Sequence, residues 1–219
     1  KFNSMESIGG RLYALVANSS SVHRVWVKSG NQFSAIPGSV KGMIGVLGED
    51  ASQPLINTEV SRRGVTKREI WKPRGSKWTK IGSSNHAGMG PQTRGSITRR
   101  GSIYLSMTDA DRMPWKFEVL KGAGRNWRPV TRKPLNLSRG GSAQGRLAIA
   151  GGKVWAVWQE STQRRDGTFD SLFAVRPVSR PGAPKILWKG RSFGPGDLDV
   201  IRVGNQTWPT DTALVAIVR

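Results

Sequence analysis

The chain has no cysteine, which removes disulfides and thiolate metal sites from consideration. Its two histidines, His23 and His86, are far apart in sequence, so neither a two-His ligand spacing nor a Ser-His-Asp arrangement can be drawn. No apolar run approaches the roughly 20 residues a membrane-spanning helix needs. Windows able to hold a three-turn helix are scarce too, because Gly and Pro make up 39 of the 219 residues and are spread along the whole chain. No resident metal or cofactor is expected. TDADRMPW, with Asp109 and Asp111, lacks the glycine and the distant bidentate glutamate of a calcium loop.

What the chain does have is a repeated cassette: an apolar run, a polar break, a second strand-like run, then Gly-x-x-aromatic. The first copy holds GGRLYALVA and HRVWVKSGNQFSAI, and the second QPLINTEV and KREIWKPRGSKWTKI. The third holds GSIYLSM and WKFEVLKGAGRNWRPV, and the fourth GGKVWAVWQE and SLFAVRPVSRPGAPKILW. The apolar runs begin near Leu12, Leu55, Ile103 and Val154, a period of about 43 to 51 residues, which is the spacing of propeller blades and not of most helical repeats. In VWAVWQE both alternating sets are apolar, as in a sheet sandwiched between neighbours. Gly30, Gly75 and Gly124 each stand in a turn between two such runs, as hairpins require.

These features predict an all-β chain: a β-propeller of about five four-stranded blades in one domain over 1–219. The blades are expected near 2–36, 41–81, 95–130 and 146–188, with a partial fifth over 199–219 that ends after two strands. Closing such a ring calls for the N-terminal strands, further chain or a partner chain to complete the last blade.

Charge is the second strong signal. Lys plus Arg number 35 against 14 Asp plus Glu, a net charge of +21, which attracts polyanions such as acidic polysaccharides, nucleic acids or acidic protein surfaces. The pairs Arg62-Arg63 and Arg164-Arg165 follow the second strand of their blades and are the candidate polyanion contacts. Arg99-Arg100 falls one turn earlier in its blade. No nucleic-acid module is recognisable, so that partner would rest on charge alone.

The blade pattern with Gly-x-x-Trp hairpins resembles the sialidase-like propellers that carry Asp-boxes. VWVKSGNQF, IWKPRGSKW and VLKGAGRNW keep the Gly and aromatic of that box and lack its Ser and Asp. The resemblance therefore implies the fold and not the activity. The catalytic Tyr of those enzymes has no counterpart, since Tyr13 and Tyr104 occupy equivalent positions in repeated strands. A weaker resemblance, to small fucose-binding propeller lectins, rests on KREIWKPRGSKW and implies a sugar site at Arg68, Glu69 and Trp71. Only the second blade has that full set.

Single residues extend the candidates. Trp115 and Trp158, at strand ends or beside Pro, are candidate sugar-stacking platforms. Glu160 ends VWAVWQE beside Trp158, a setting suited to acid catalysis or to binding sugar hydroxyls, and its competing reading is an ion pair with Arg164 or Arg165. Asp170 ends DGTFD, where paired carboxylates could serve glycoside cleavage but a capped turn is the commoner structure. Three functions follow: a non-catalytic propeller binding glycans or other anionic surface polymers, a glycoside hydrolase or lyase, or a basic structural subunit of a larger assembly. The first leads, with a secreted or cell-surface location expected.

Overall fold

The structure, a computed structural model, describes residues 2–50, 53–62, 65–87, 92–109, 116–131, 133–138, 142–150, 153–178, 183–192, 200–203 and 206–209. Among them there is no helix, and the strands follow the repeats. β1 (Phe2–Ile8), β2 (Arg11–Ala17), β3 (Val22–Ser29) and β4 (Gln32–Ala35) form one antiparallel meander, with β5 (Val40–Lys41) also paired to β3. β6 (Ile44–Asp50), β7 (Gln53–Arg62), β8 (Val65–Arg74) and β9 (Lys77–Ala87) form the next. β10 (Gln92–Arg99), β11 (Ser102–Asp109), β12 (Lys116–Ala123) and β13 (Asn126–Pro129) follow, and β10 pairs in parallel with β6 through Ile97 with Glu49 and Thr98 with Asp50. β14 (Ser142–Ala150), β15 (Lys153–Gln163), β16 (Phe169–Pro177) and β17 (Lys185–Ser192) make the fourth meander, and β18 (Val200–Val203) with β19 (Gln206–Pro209) a two-stranded ribbon.

The hairpin glycines behave as the turns require: Gly30, Gly75 and Gly124 sit at φ of 57°, 59° and 59°, a region costly for any residue with a Cβ. One expectation shifts. The Gly-rich stretch SSNHAGMGPQTRG, residues 83–95, reads from sequence as a loop, yet β9 runs through Ala87 and β10 begins at Gln92, so His86 lies in a strand.

The strands gather into two compact units. The first comprises Lys1–Met89, Gly95–Tyr104 and Lys121–Arg128, and the second Gly90–Arg94, Leu105–Leu120 and Pro129–Arg219. The core of the first is Ile8, Tyr13, Leu15, Val25, Val40, Leu47, Ile56 and Trp78, with Trp71 packed at its margin. Each such side chain, once buried, contributes about 1.5–3 kcal/mol. Tyr13 is therefore a core residue, as its repeated position implies.

In the second unit β15 is buried on both faces from Val154 to Ser161, apart from half-buried Trp155, which is the both-sided pattern its sequence carries. Phe117 packs on Trp158 at 6.0 Å between ring centres, and Phe173 on Trp188 at 5.6 Å. Gly145, paired across from Trp158, is where this packing needs a glycine: a Cβ there would lie 2.5 Å from the Phe117 ring.

His23 is buried in the first unit. Its Nε2 donates to the Gly42 carbonyl at 2.9 Å, and its Nδ1 accepts from the Asn3 amide at 3.1 Å, which fixes a neutral ring. Burial pushes its pKa below the ordinary value of 6.5, against a smaller upward pull from the Gly42 carbonyl. Above the ordinary value the ring is neutral in both the folded and unfolded chain. As pH falls below it, the unfolded chain takes up a proton that the folded chain resists, and stability is lost down to the folded pKa. Thermal unfolding measured between pH 7.5 and 5 should show a falling midpoint, at most about 1.4 kcal/mol lost per pH unit, with a flatter profile in His23→Gln. Equal slopes in the two proteins would show that His23 does not carry the effect.

Candidate functional site

β7, β8 and β9 position a cavity. Along β8 side chains alternate between faces, so Lys67, Glu69 and Trp71 share one face and Arg68 and Ile70 the other. Arg68 and Ile70 are buried accordingly, and Arg68 Nε donates to Glu59 Oε1 at 3.2 Å, its cross-strand partner. The lectin-like triad of the sequence is thus divided: Glu69 and Trp71 point one way, while Arg68 is an interior ion-pair residue on the other face.

A bulge completes the open face. The β8–β9 register shifts between Ile70 and Trp71, so Gly82 opposes Ile70 and Lys80 opposes Trp71. The skipped Ile81 brings Lys80 onto the face of Trp71 and Glu69. Its ammonium lies 5.5 Å from the Trp71 ring centre and 2.9 Å from Glu69 Oε1. Trp71 is fixed at its other end, where Nε1 donates to Thr58 Oγ1 at 3.1 Å. These residues, with Lys67, Lys41, Met43, Gly42 and Ser21, line a cavity of about 720 Å³. That volume is in the range of small-molecule sites. It presents one indole, one carboxylate and three ammonium groups, and the Glu69–Lys80 pair is partly open to solvent, with side-chain exposures of 16% and 45%.

The remaining candidates fall elsewhere. Trp158 is 0% exposed, so it is core and not a platform for sugar: its strand stays buried through Ser161, three residues beyond it. Glu160 is also buried and pairs with neither Arg164 nor Arg165. Its carboxylate accepts from Leu137 N at 2.5 Å, Ser138 N at 2.6 Å, Ser138 Oγ at 2.5 Å and Trp158 Nε1 at 2.8 Å. All four donors are protein groups, which makes it an anchor for the 135–138 segment.

Asp170 binds Arg164 Nη1 through both oxygens, at 2.9 and 3.1 Å, on an exposed strand start. Asp166 caps the intervening turn, accepting from Thr168 N at 3.0 Å and Thr168 Oγ1 at 2.6 Å, and those bonds hold its carboxyl below the usual carboxylate range. DGTFD is therefore the capped turn, and Arg164 is engaged, its own pKa raised by Asp170. Arg165 is exposed. Arg63, Trp115 and Asp111 lie outside the described residues, as does the side chain of Arg62. Among the described residues no group of three or more His, Asp or Glu could hold a metal ion.

Sequence reasoning missed Lys67, Lys80 and Lys41. Lys67 was legible as the period-two partner of Glu69 and Trp71; Lys80 was not, since its place depends on the bulge.

No protein-family model and no curated protein matches the sequence. Solved structures do match it in fold. A mannose phosphorylase, MPT-4 from Leishmania mexicana, is 12% identical over 95% of this chain and 78% of that one, with a TM-score of 0.51. TolB from Acinetobacter baumannii is 11% identical over 95% of this chain and 51% of its own, with a TM-score of 0.53. The catalytic domain of a Coprinopsis cinerea GH62 α-L-arabinofuranosidase is 10% identical over 99% and 90%, with a TM-score of 0.50. Identities this low speak for the fold alone, and they do not extend to the Asp-box type of the sequence resemblance. Together with the all-strand meanders, they make this chain an all-β protein of the β-propeller class.

Proposed function

We propose that the chain is a carbohydrate-binding propeller whose site is the Trp71 cavity. One observation carries the reading: an indole, a carboxylate and a lysine from adjacent strands converge on one open cavity, with Trp71 fixed by Thr58 and Glu69 by Lys80. A sugar ring offers an apolar face to the indole and hydroxyls that donate to Glu69 and accept from Lys80. Stacking on Trp71 would displace the Lys80 stem, whose ammonium then remains free to bond the ligand.

The fold neighbours named as a mannose phosphorylase and an arabinofuranosidase act on glycosides, which supports a glycan-directed role and raises glycoside cleavage as the second reading. Cleavage by paired carboxylates needs two such groups roughly 5–9 Å apart. Among the described residues the cavity offers one, Glu69, and Glu160 and Asp170 are engaged elsewhere. The reading is therefore recognition without cleavage.

A glycan array probed with the wild-type chain and with Glu69→Gln and Trp71→Ala tests this. Binding should persist in near-physiological salt and weaken about tenfold or more in each variant, the loss of one charged hydrogen bond or one stacked ring. Undiminished binding in both variants would remove the cavity from the account. New reducing ends on incubation with a bound glycan would replace recognition with cleavage.

A further inference from the structure

Three cavities adjoin in the first unit. The Trp71 cavity shares Lys67, Glu69 and Lys80 with a smaller one of about 220 Å³ that also includes Ser83 and Arg125. Arg125 in turn lines a third, of about 560 Å³, together with Lys121, Trp127 and Arg128. Their continuity has a structural cause, because the β12–β13 hairpin is fastened to β9. Ser83 N donates to Gly124 O at 2.8 Å, Trp127 Nε1 donates to Ser83 O at 2.8 Å, and Gly82 bridges Gly124. Arg125, at the tip of that hairpin, is thereby held beside Lys67 and Lys80.

The resulting track carries Lys41, Lys67, Lys80, Arg125, Lys121 and Arg128 against a single carboxylate, Glu69. Only Lys80 of these six is in an ion pair with a described residue. Lys121 lies over the Tyr104 ring at 5.6 Å. Cations without an ion-pair partner among the described residues, lining connected concave surfaces, concentrate positive potential where an extended anion can lie against it.

We propose that this track binds a linear acidic polysaccharide, a chain whose sulfate or carboxylate groups recur between hydroxyl-bearing rings. The proposal rests on the saccharide reading of the Trp71 cavity and extends it to the class of ligand. Glu69 favours a sugar chain over a nucleic acid because it accepts from hydroxyls, which recur between the anionic groups of an acidic polysaccharide and are scarce along a DNA strand. The aromatics point the same way. Single-stranded nucleic acids are held by bases stacked on open rings. Here Trp127 is tied at its ring nitrogen and packed against Gly82 and Gly122, which leaves Trp71 as the one ring among the lining residues open to stacking. The arginines supply forked donors suited to sulfate and carboxylate, and neither comes from the Arg pairs that the sequence singles out.

The test is calorimetric titration of the whole chain with dextran sulfate oligomers, unsulfated dextran oligomers of the same length, and an oligo-dT strand. Dextran sulfate should bind more tightly than either of the others and lose affinity as salt rises. Arg125→Ala and Arg128→Ala, both at exposed positions, should each weaken it about tenfold, the worth of one charge-assisted contact. Arg165→Ala, which lines none of the three cavities, should leave it within about twofold. An equal loss in Arg165→Ala would mark the binding as diffuse attraction and overturn the proposal. So would an absence of dextran sulfate binding, or tighter binding of oligo-dT. If the two dextrans bind equally and Glu69→Gln weakens both, the saccharide reading stands and the acidic-chain proposal falls.

Discussion

Glu160→Ala should rank among the most destabilising single substitutions in this chain, at about 3–5 kcal/mol. The reason is the number of donors it serves. Leu137 N, Ser138 N, Ser138 Oγ and Trp158 Nε1 all lie within 2.5 to 2.8 Å of its two oxygens, and the residue itself is 2% exposed. A buried donor left without an acceptor costs about 1–3 kcal/mol, and Ala leaves the enclosed Trp158 indole and two partly buried amides without theirs. Ser138 Oγ can turn to another partner, but the indole cannot. Against a total stability of about 5–15 kcal/mol, the loss removes a large share of the folded population's margin. Glu160→Gln keeps one acceptor oxygen and should fall between Ala and the wild type. Urea unfolding of the three proteins measures the order. A Glu160→Ala midpoint equal to wild type would mean that the 135–138 segment does not depend on this carboxylate.

Trp158→Ala should cost a similar amount, about 3–5 kcal/mol, through a different mechanism. The ring is fully buried and packs at 6.0 Å on Phe117, whose own ring fills the space that Gly145 leaves. Truncation empties the volume of the indole, and the backbone of a paired strand cannot collapse far enough to refill it. Trp158→Phe keeps most of the apolar contact and loses the bond to Glu160, so it should cost about 1–3 kcal/mol. Because Trp158 and Glu160 share a hydrogen bond, the double variant should lose less than the sum of the singles. Saccharide affinity of the folded fraction should not change in any of these variants. A loss of affinity in a fully folded Trp158→Phe would return Trp158 to the site.

The contrast between Trp158 and Trp71 shows what could be read from sequence. Period, turn glycines and two-sided apolar strands are local properties, so the blades and their hairpins followed from them. The site depended on facing. Arg68, Glu69 and Trp71 are adjacent in sequence, and strand alternation alone separates the first from the other two. Trp158 looked like a strand-end platform beside a free carboxylate because nothing local reveals that residues 135–138 fold over Glu160. Lys80 reaches Trp71 only through the bulge at Ile81, and Arg125 reaches Lys67 only through the Gly82–Gly124 bridge. Both are non-local features, formed between strands whose pairing no single segment encodes.

The most direct test of the central claim is to follow the indole N–H resonances of the folded chain by NMR while titrating an acidic oligosaccharide, with Trp71 assigned through Trp71→Phe. The Trp71 resonance should move with saturation while that of Trp158, sealed against Glu160, stays in place. Movement of Trp158 with Trp71 unchanged would contradict this claim and place recognition away from the β8–β9 cavity.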